Sequence, residues 1–300
     1  MTNCIHDHGR WGKGDQLGSG HLLTPERTLA ALRRVEQGRV IDLSHVIEIG
    51  APRMAPNQTP YLMQMGPTSR GSIRRRRAMG ATNDAGSNLE RMELTTHVGT
   101  HIDALGHFTI GDRMHGGYSA ETTVDDFGLA RLGIEHCPPI VTRGICLDVS
   151  DFDRGDHLKA GRAVTIDDLK RALDRAKLTI EAGDVVCIRT GWGRFYMADN
   201  DKYVASEPGI DLDAARWLTA QDVVAIAADN MAVEVLPGTK HPEAIMPVHQ
   251  HCLAEAGVHL IENMALDGLI DAGVSSFCFM VAPVKFKGAT GCPVRPIAMV

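Results

Sequence analysis

The chain has 300 residues, of which 44% are hydrophobic and 23% charged, with a formal net charge of −6. These proportions belong to a soluble globular protein with a sizeable core, and the acid excess gives no reason to expect nucleic acid as a partner. No apolar run reaches membrane-spanning length, and the stretch Met1–His8 lacks the basic and apolar regions of a signal peptide, so a cytoplasmic setting without membrane is expected.

In chain order, residues 1–22 are Gly-rich and read as an irregular N-terminal arm. Thr24-Pro25-Glu26 supplies an N-cap, a proline at the first helical position and an early acid, which predicts a helix to about Gln37 with a stop at Gly38. Val40–Ile47 reads as a strand. Residues 50–87, rich in Gly, Pro, Arg and Ser, show no clear period and read as a long loop or flap. Ile140–Asp148 is a predicted strand, and Thr165 caps a helix reaching about Ala176. Val185–Arg189 and Val223–Ala228 read as buried strands on either side of a helix from Asp211 to Ala220. A short helix near 250–256 and strands at Val258–Glu262 and Phe277–Val281 follow. With no internal repeat and no interdomain linker, this pattern predicts one α/β domain over residues 1–300 with a mixed sheet.

Chemistry concentrates in one segment, His97-Val-Gly-Thr-His101-Ile-Asp103-Ala-Leu-Gly-His107-Phe108. His97, His101 and Asp103 differ by even numbers, so in an extended chain they project to one face, with Gly99 between them and Thr100 turned away. Two imidazoles and a carboxylate are what a divalent metal such as zinc or manganese accepts. A helical HxxxH would also align the histidines, but the flanking Thr and Gly residues favour a strand running into a loop. The competing reading is a set of structural histidines, since the chain contains 14. Further donors must come from elsewhere, and Val248-His249-Gln250-His251 with Glu262 offers them. On a helix His249 and His251 point different ways, so they should not both ligate.

Other chemistries lack their parts. Neither a P-loop nor a GxGxxG fingerprint occurs, and there is no GxSxG elbow. The seven cysteines lack CxxC spacing and mostly sit in apolar stretches, where a buried inert thiol is the default. The run Arg74–Arg77 and Arg189 are candidate partners for an anionic group.

The segment His97-x-Gly99-Thr100-His101-x-Asp103-x3-His107-Phe108 resembles the signature of the cyclase-like metal-dependent hydrolases, which include bacterial kynurenine formamidases and isatin hydrolases. The resemblance continues through Trp11–Asp15, Leu23–Glu26, Asp42–Ser44, Gly116–Ser119, Arg189–Trp192, Asp229-Asn230 and Ile261–Asn263. It implies a swivelling β/β/α-like fold and a homodimer or homotetramer. It also implies that His97 and His101 bind the first metal, that Asp103 bridges two metals in the formamidases, and that His107 is the catalytic acid/base. An unperturbed imidazole pKa of about 6.5 suits taking and returning a proton. In formamidase-like members a histidine ligand lies twelve residues before a metal-binding glutamate. Counting back from Glu262 lands on Gln250, and a glutamine there is similar to the isatin-hydrolase branch with its single manganese. The tryptophan that formamidases hold against the substrate ring is replaced in Ala51–Met54, where Met54 still offers apolar surface.

The expected function is a metal-dependent hydrolase that opens a cyclic amide, imide or lactone of a small-molecule substrate. His97, His101, Asp103 and Gln250 would hold the metal, Mn2+ first and Zn2+ next. His107 would be the general acid/base, and Glu262 would hold a second metal, orient the attacking water or anchor Gln250. The alternative is a dinuclear arylformamidase acting on N-formylkynurenine. In another class altogether stands a non-catalytic metal-binding module, whose closed shell would leave His107 without a role.

Overall fold

A computed structural model describes residues 10–238, 240 and 242–300. Nine strands form one mixed sheet: β1 (Val40–Asp42), β4 (His101–Asp103), β5 (Ile140–Asp148), β6 (Val185–Arg189), β7 (Ala225–Ala228), β8 (His259–Glu262), β9 (Ser276–Val281), β10 (Gly291–Pro293) and β11 (Ile297–Met299). The omitted numbers, β2 (Leu62–Met65) and β3 (Glu90–Glu93), pair only with each other. The sheet order is β1-β11-β9-β5-β6-β7-β8-β4-β10. β5 to β8 are parallel neighbours, and every strand outside them joins antiparallel.

The four central strands are continuous apolar runs because both faces of the sheet are covered. Alternate residues feed two cores. Val186, Ile188, Ile226 and Leu260 face one, and Val185, Cys187, Ala225 and Ile261 the other. Onto the first face pack the helices Ile166–Ala176 and Leu212–Thr219, through Leu169, Leu173, Ala214 and Leu218. Thr165 and Asp168 close a capping box at the start of the former, an arrangement worth about 1 kcal/mol. Asp211 caps the latter through the Ala214 N–H at 2.8 Å. The predicted α/β class with a mixed sheet is what the chain forms.

Several predicted boundaries move. The first helix is Pro25–Leu32, ending before Gln37, and the first strand stops at Asp42. Residues 50–87 are not all loop. β2, a helix at Ser69–Ala78 and β3 build a side lobe that leaves the body at Thr59 and returns at Thr95, where two side-chain contacts staple its base. A helix in which four of ten residues are consecutive arginines has no apolar period to read. The strands β10 and β11, hidden among Gly and Pro, were not anticipated from the pattern.

Candidate metal centre

The parallel strands end on one side of the sheet, where α/β folds place their sites. Glu262 ends β8, and the antiparallel register sets it opposite His101 on β4. Asp103 ends β4 opposite Gly291 of β10. His97 reaches the same place from a turn rather than along an extended strand, which corrects the alternation that the spacing suggested. The Val98 N–H bonds the Thr95 carbonyl at 3.0 Å, and Gly99 takes a positive φ of 74°. A Cβ on Gly99 would lie 2.4 Å from Ile47, so glycine is required for both conformation and space. Thr100 does turn away: its hydroxyl donates to the Asn263 carbonyl at 2.5 Å and accepts from the His45 N–H at 2.8 Å.

Asp103 is the hub. His97 Nδ1 lies 2.9 Å and His101 Nε2 3.5 Å from its Oδ1, and His249 Nε2 is 3.7 Å from its Oδ2. Glu262 closes the other side, with Oε2 3.2 Å from His101 Nε2 and Oε1 3.0 Å from His249 Nε2. His107 stacks on His97 with ring centroids 4.0 Å apart, and Phe108 packs against the His249 ring. The donors group as His97-Asp103-His107 and His101-Asp103-Glu262, two sets that share Asp103.

Each of three rings is anchored by its outer nitrogen. His97 Nε2 contacts the Thr290 hydroxyl at 3.0 Å, His101 Nδ1 the Gly99 carbonyl at 2.8 Å, and His249 Nδ1 the Glu234 carboxylate at 2.6 Å. An outer nitrogen held by its own hydrogen-bond partner leaves the inner one as the atom available to a cation. The inner atoms are close enough to attract but are not aligned as hydrogen bonds. His101 Nε2, both Asp103 oxygens and Glu262 Oε1 are buried without a hydrogen-bond partner. Unpaired buried carboxylates are costly. A divalent cation among these imidazoles and carboxylates would satisfy all of those atoms, so the residues fit one.

Electrostatics point the same way. Burial opposes charge on His101, yet Asp103 and Glu262 beside it push its pKa up to about 10. Burial likewise opposes charge on His249, and Glu234 and Glu262 raise it well above the ordinary value. Asp103 is held far below the usual carboxylate range: burial would raise it, but His107, His101 and His97 prevail. Glu262 is lowered too, since burial and Asp103 are outweighed by His101 and His249. His107 goes the other way. Burial takes it down to about 3, with His97 and His249 adding to the effect against Asp103 and Glu262. It is therefore neutral, well below the free-imidazole value that the sequence alone suggested.

The fold brings His97, His101, Asp103, His107 and Glu262 together. Gln250 is not among them. Its amide nitrogen donates to the Thr109 carbonyl at 3.0 Å, and His249 occupies the place next to Glu262. Between His249 and Glu262 lies a π-helix at Gln250–Ala256, whose turn takes about one residue more than an α-helical turn, in keeping with a ring thirteen residues before Glu262 where the resemblance implied twelve. His251 is turned to Glu255 and Thr219. Arg189 engages Asp148, Ser150 and Asp267, and the Arg74–Arg77 run lies on the side-lobe helix. Thr290 and Glu234 were missed. A lone acid inside Met231-Ala-Val-Glu-Val-Leu236 was the available signal for the second.

Residues 41–235 match the family model described as "Putative cyclase". Over 272 residues the chain is 24% identical to Cyclase-like protein 1 of Oryza sativa subsp. japonica, covering 89% of this chain and 82% of that protein. A crystal structure described as a novel cyclase superposes with a TM-score of 0.86 at 27% identity, covering 98% of this chain and 99% of the other. Isatin hydrolase A from Labrenzia aggregata, bound to benzyl benzoate, shares the fold with a TM-score of 0.65 at 21% identity, over 87% and 93% of the two chains.

Proposed function

The chain belongs to the cyclase family, and from that premise we propose that it is a metal-dependent hydrolase of a small amide, imide or lactone, with two adjacent cation positions sharing Asp103. The observation that carries this reading is the pair of overlapping donor sets with buried, unpaired inward atoms. In this reading His97 and Asp103 hold one position, with His107 beside it as proton carrier rather than ligand, and His101, His249, Glu262 and Asp103 hold the other. Gln250 gives its place to His249. A bound divalent cation, manganese or zinc, would polarise the substrate carbonyl and lower the pKa of a water.

The chain's own residues supply the rest. His107 is half-buried at the edge of the cluster, where its ring is placed to take a proton from the attacking water and return it to the leaving nitrogen or oxygen. Phe108 and Met54 offer apolar surface near these groups, Met54 within the cluster of Ala51, Val98 and Trp192. His107 is stacked on His97, an arrangement that fixes the plane of its ring.

The reading includes a homodimer or homotetramer, supported by the exposed Leu62, Met63, Met65 and Met92 of the side lobe. Among the described residues no helix is long and apolar enough to cross a membrane. Metal analysis of the purified protein tests the proposal, paired with a hydrolysis screen over isatin, N-formylkynurenine, cyclic imides and lactones. Two cations per chain with turnover of N-formylkynurenine select an arylformamidase, and turnover of a ring substrate selects a ring-opening hydrolase. A protein that binds cation tightly and hydrolyses none of these would instead be a metal-binding module.

A further inference from the structure

We infer that Glu234 is a positioning residue that sets the tautomer and aim of His249 and so builds the second cation position, an inference resting on the metal-dependent reading above. Glu234 is 2% exposed, in the loop that follows β7, and it is the lone charge in an apolar run. Its Oε1 accepts the His249 backbone N–H at 3.1 Å and lies 2.6 Å from His249 Nδ1. Its Oε2 accepts the Val248 N–H at 3.3 Å. A carboxylate accepts only, so Nδ1 carries a ring proton, and Nε2, which faces Glu262 and Asp103, is the nitrogen left to bind a cation. Among the three anchored rings, His97 is held by a hydroxyl and His101 by a carbonyl, and only His249 is backed by a carboxylate. A carboxylate behind an imidazole fixes its orientation and raises its basicity as a ligand.

The backbone is shaped for this placement. Val233 holds a φ of +59°, a conformation β-branched residues avoid at a cost of about 1–3 kcal/mol, and the Glu234 N–H bonds the Ala232 carbonyl at 2.5 Å. Two backbone bonds to Ile210, each 3.1 Å, clamp the turn from either side. Gly209 lets the strands meet there, because a Cβ on it would lie 2.3 Å from the Glu234 carbonyl carbon. Capping the helix start at Pro247 would require only an acceptor oxygen. It would not require a charge aimed at the ring.

The test uses the full chain, stripped of metal and titrated with Mn2+ alone in a calorimeter, with 15N NMR of the His249 ring beside it. Glu234→Gln keeps an acceptor for the two His249 groups on Oε1 but turns its NH2 toward the Val248 N–H, so its melting temperature should fall by only a few degrees. Its affinity at one of two Mn2+ positions should fall about 10-fold, and Glu234→Ala should cost up to about 100-fold there, the other position being unaffected. The His249 Nδ1–H signal should lose its hydrogen-bonded shift in Glu234→Ala and keep it in Glu234→Gln. Parent-like Mn2+ affinity at both positions in a folded Glu234→Ala, or an unchanged Nδ1–H signal there, would overturn the inference. A parent chain that binds no Mn2+ or Zn2+ at all would overturn the metal-dependent reading itself, and this inference with it.

Discussion

Charge is dense in two places in this molecule, the centre around Asp103 and the side lobe between Thr59 and Thr95, and the two are built oppositely. At the centre His101, Asp103 and His249 are each no more than 2% exposed and sit between strands far apart in sequence. In the lobe, Arg70, Arg74, Arg75 and Arg77 lie on the exposed side of a helix whose contacts are local. Arg76 bonds Ala85 and Ser87, and Arg77 bonds Asp84, all within eleven residues. No residue from 62 to 93 joins any of the apolar cores. The difference teaches that clustered charge reports function only when burial removes the water that would otherwise neutralise it. Exposed charges are screened and worth little, whereas buried ones must find a partner.

The sharpest way to break the comparison is at its hub. Asp103→Ala should empty both cation positions and cut hydrolysis by about a thousandfold or more, read by metal analysis and turnover together. Full metal content in that variant would remove Asp103 as the shared ligand. His107→Ala should keep its metal while turnover falls by about 10²–10⁴-fold. Unchanged turnover there would refute its proton-carrying role.

A third buried group is His45, stacked on Tyr196 and with a buried Nε2 that has no hydrogen-bond partner among the described residues. Burial depresses its pKa below 6.5, with Asp267 acting weakly against that. A depressed folded pKa means the unfolded chain binds the proton more readily, so its contribution to stability is intact above about pH 6.5 and lost as pH falls toward the folded pKa. The parent melting temperature should drop across that window, and His45→Phe should flatten the drop. An identical pH profile in the variant would count against it. The smallest effects belong to the lobe. Arg74→Ser with Arg75→Ser should change stability by less than about 0.5 kcal/mol and leave metal content alone. Met63→Ser with Met92→Ser should likewise spare the centre while lowering the assembled mass seen by light scattering. Loss of metal in either pair would show that lobe and centre are coupled.

Much of the scaffold was legible because burial writes long apolar runs: Ile140–Asp148, Val185–Arg189 and the Thr165-capped helix stand where pattern and capping placed them. The lobe was not, since Ser69–Ala78 carries arginines in place of an apolar stripe. The spacing His97-x3-His101-x-Asp103-x3-His107 placed four chemistry-bearing side chains in one short segment, but ten residues can extend over about 35 Å, so proximity in sequence did not by itself fix proximity in space. It did not determine how they converge, since His97 arrives by a turn and not along a strand. Only the tertiary structure decided that His249 rather than Gln250 meets Glu262, and that Glu234 stands behind it. Those choices depend on strand register and on a π turn that shifts the ring by one residue, and neither is encoded in any local spacing.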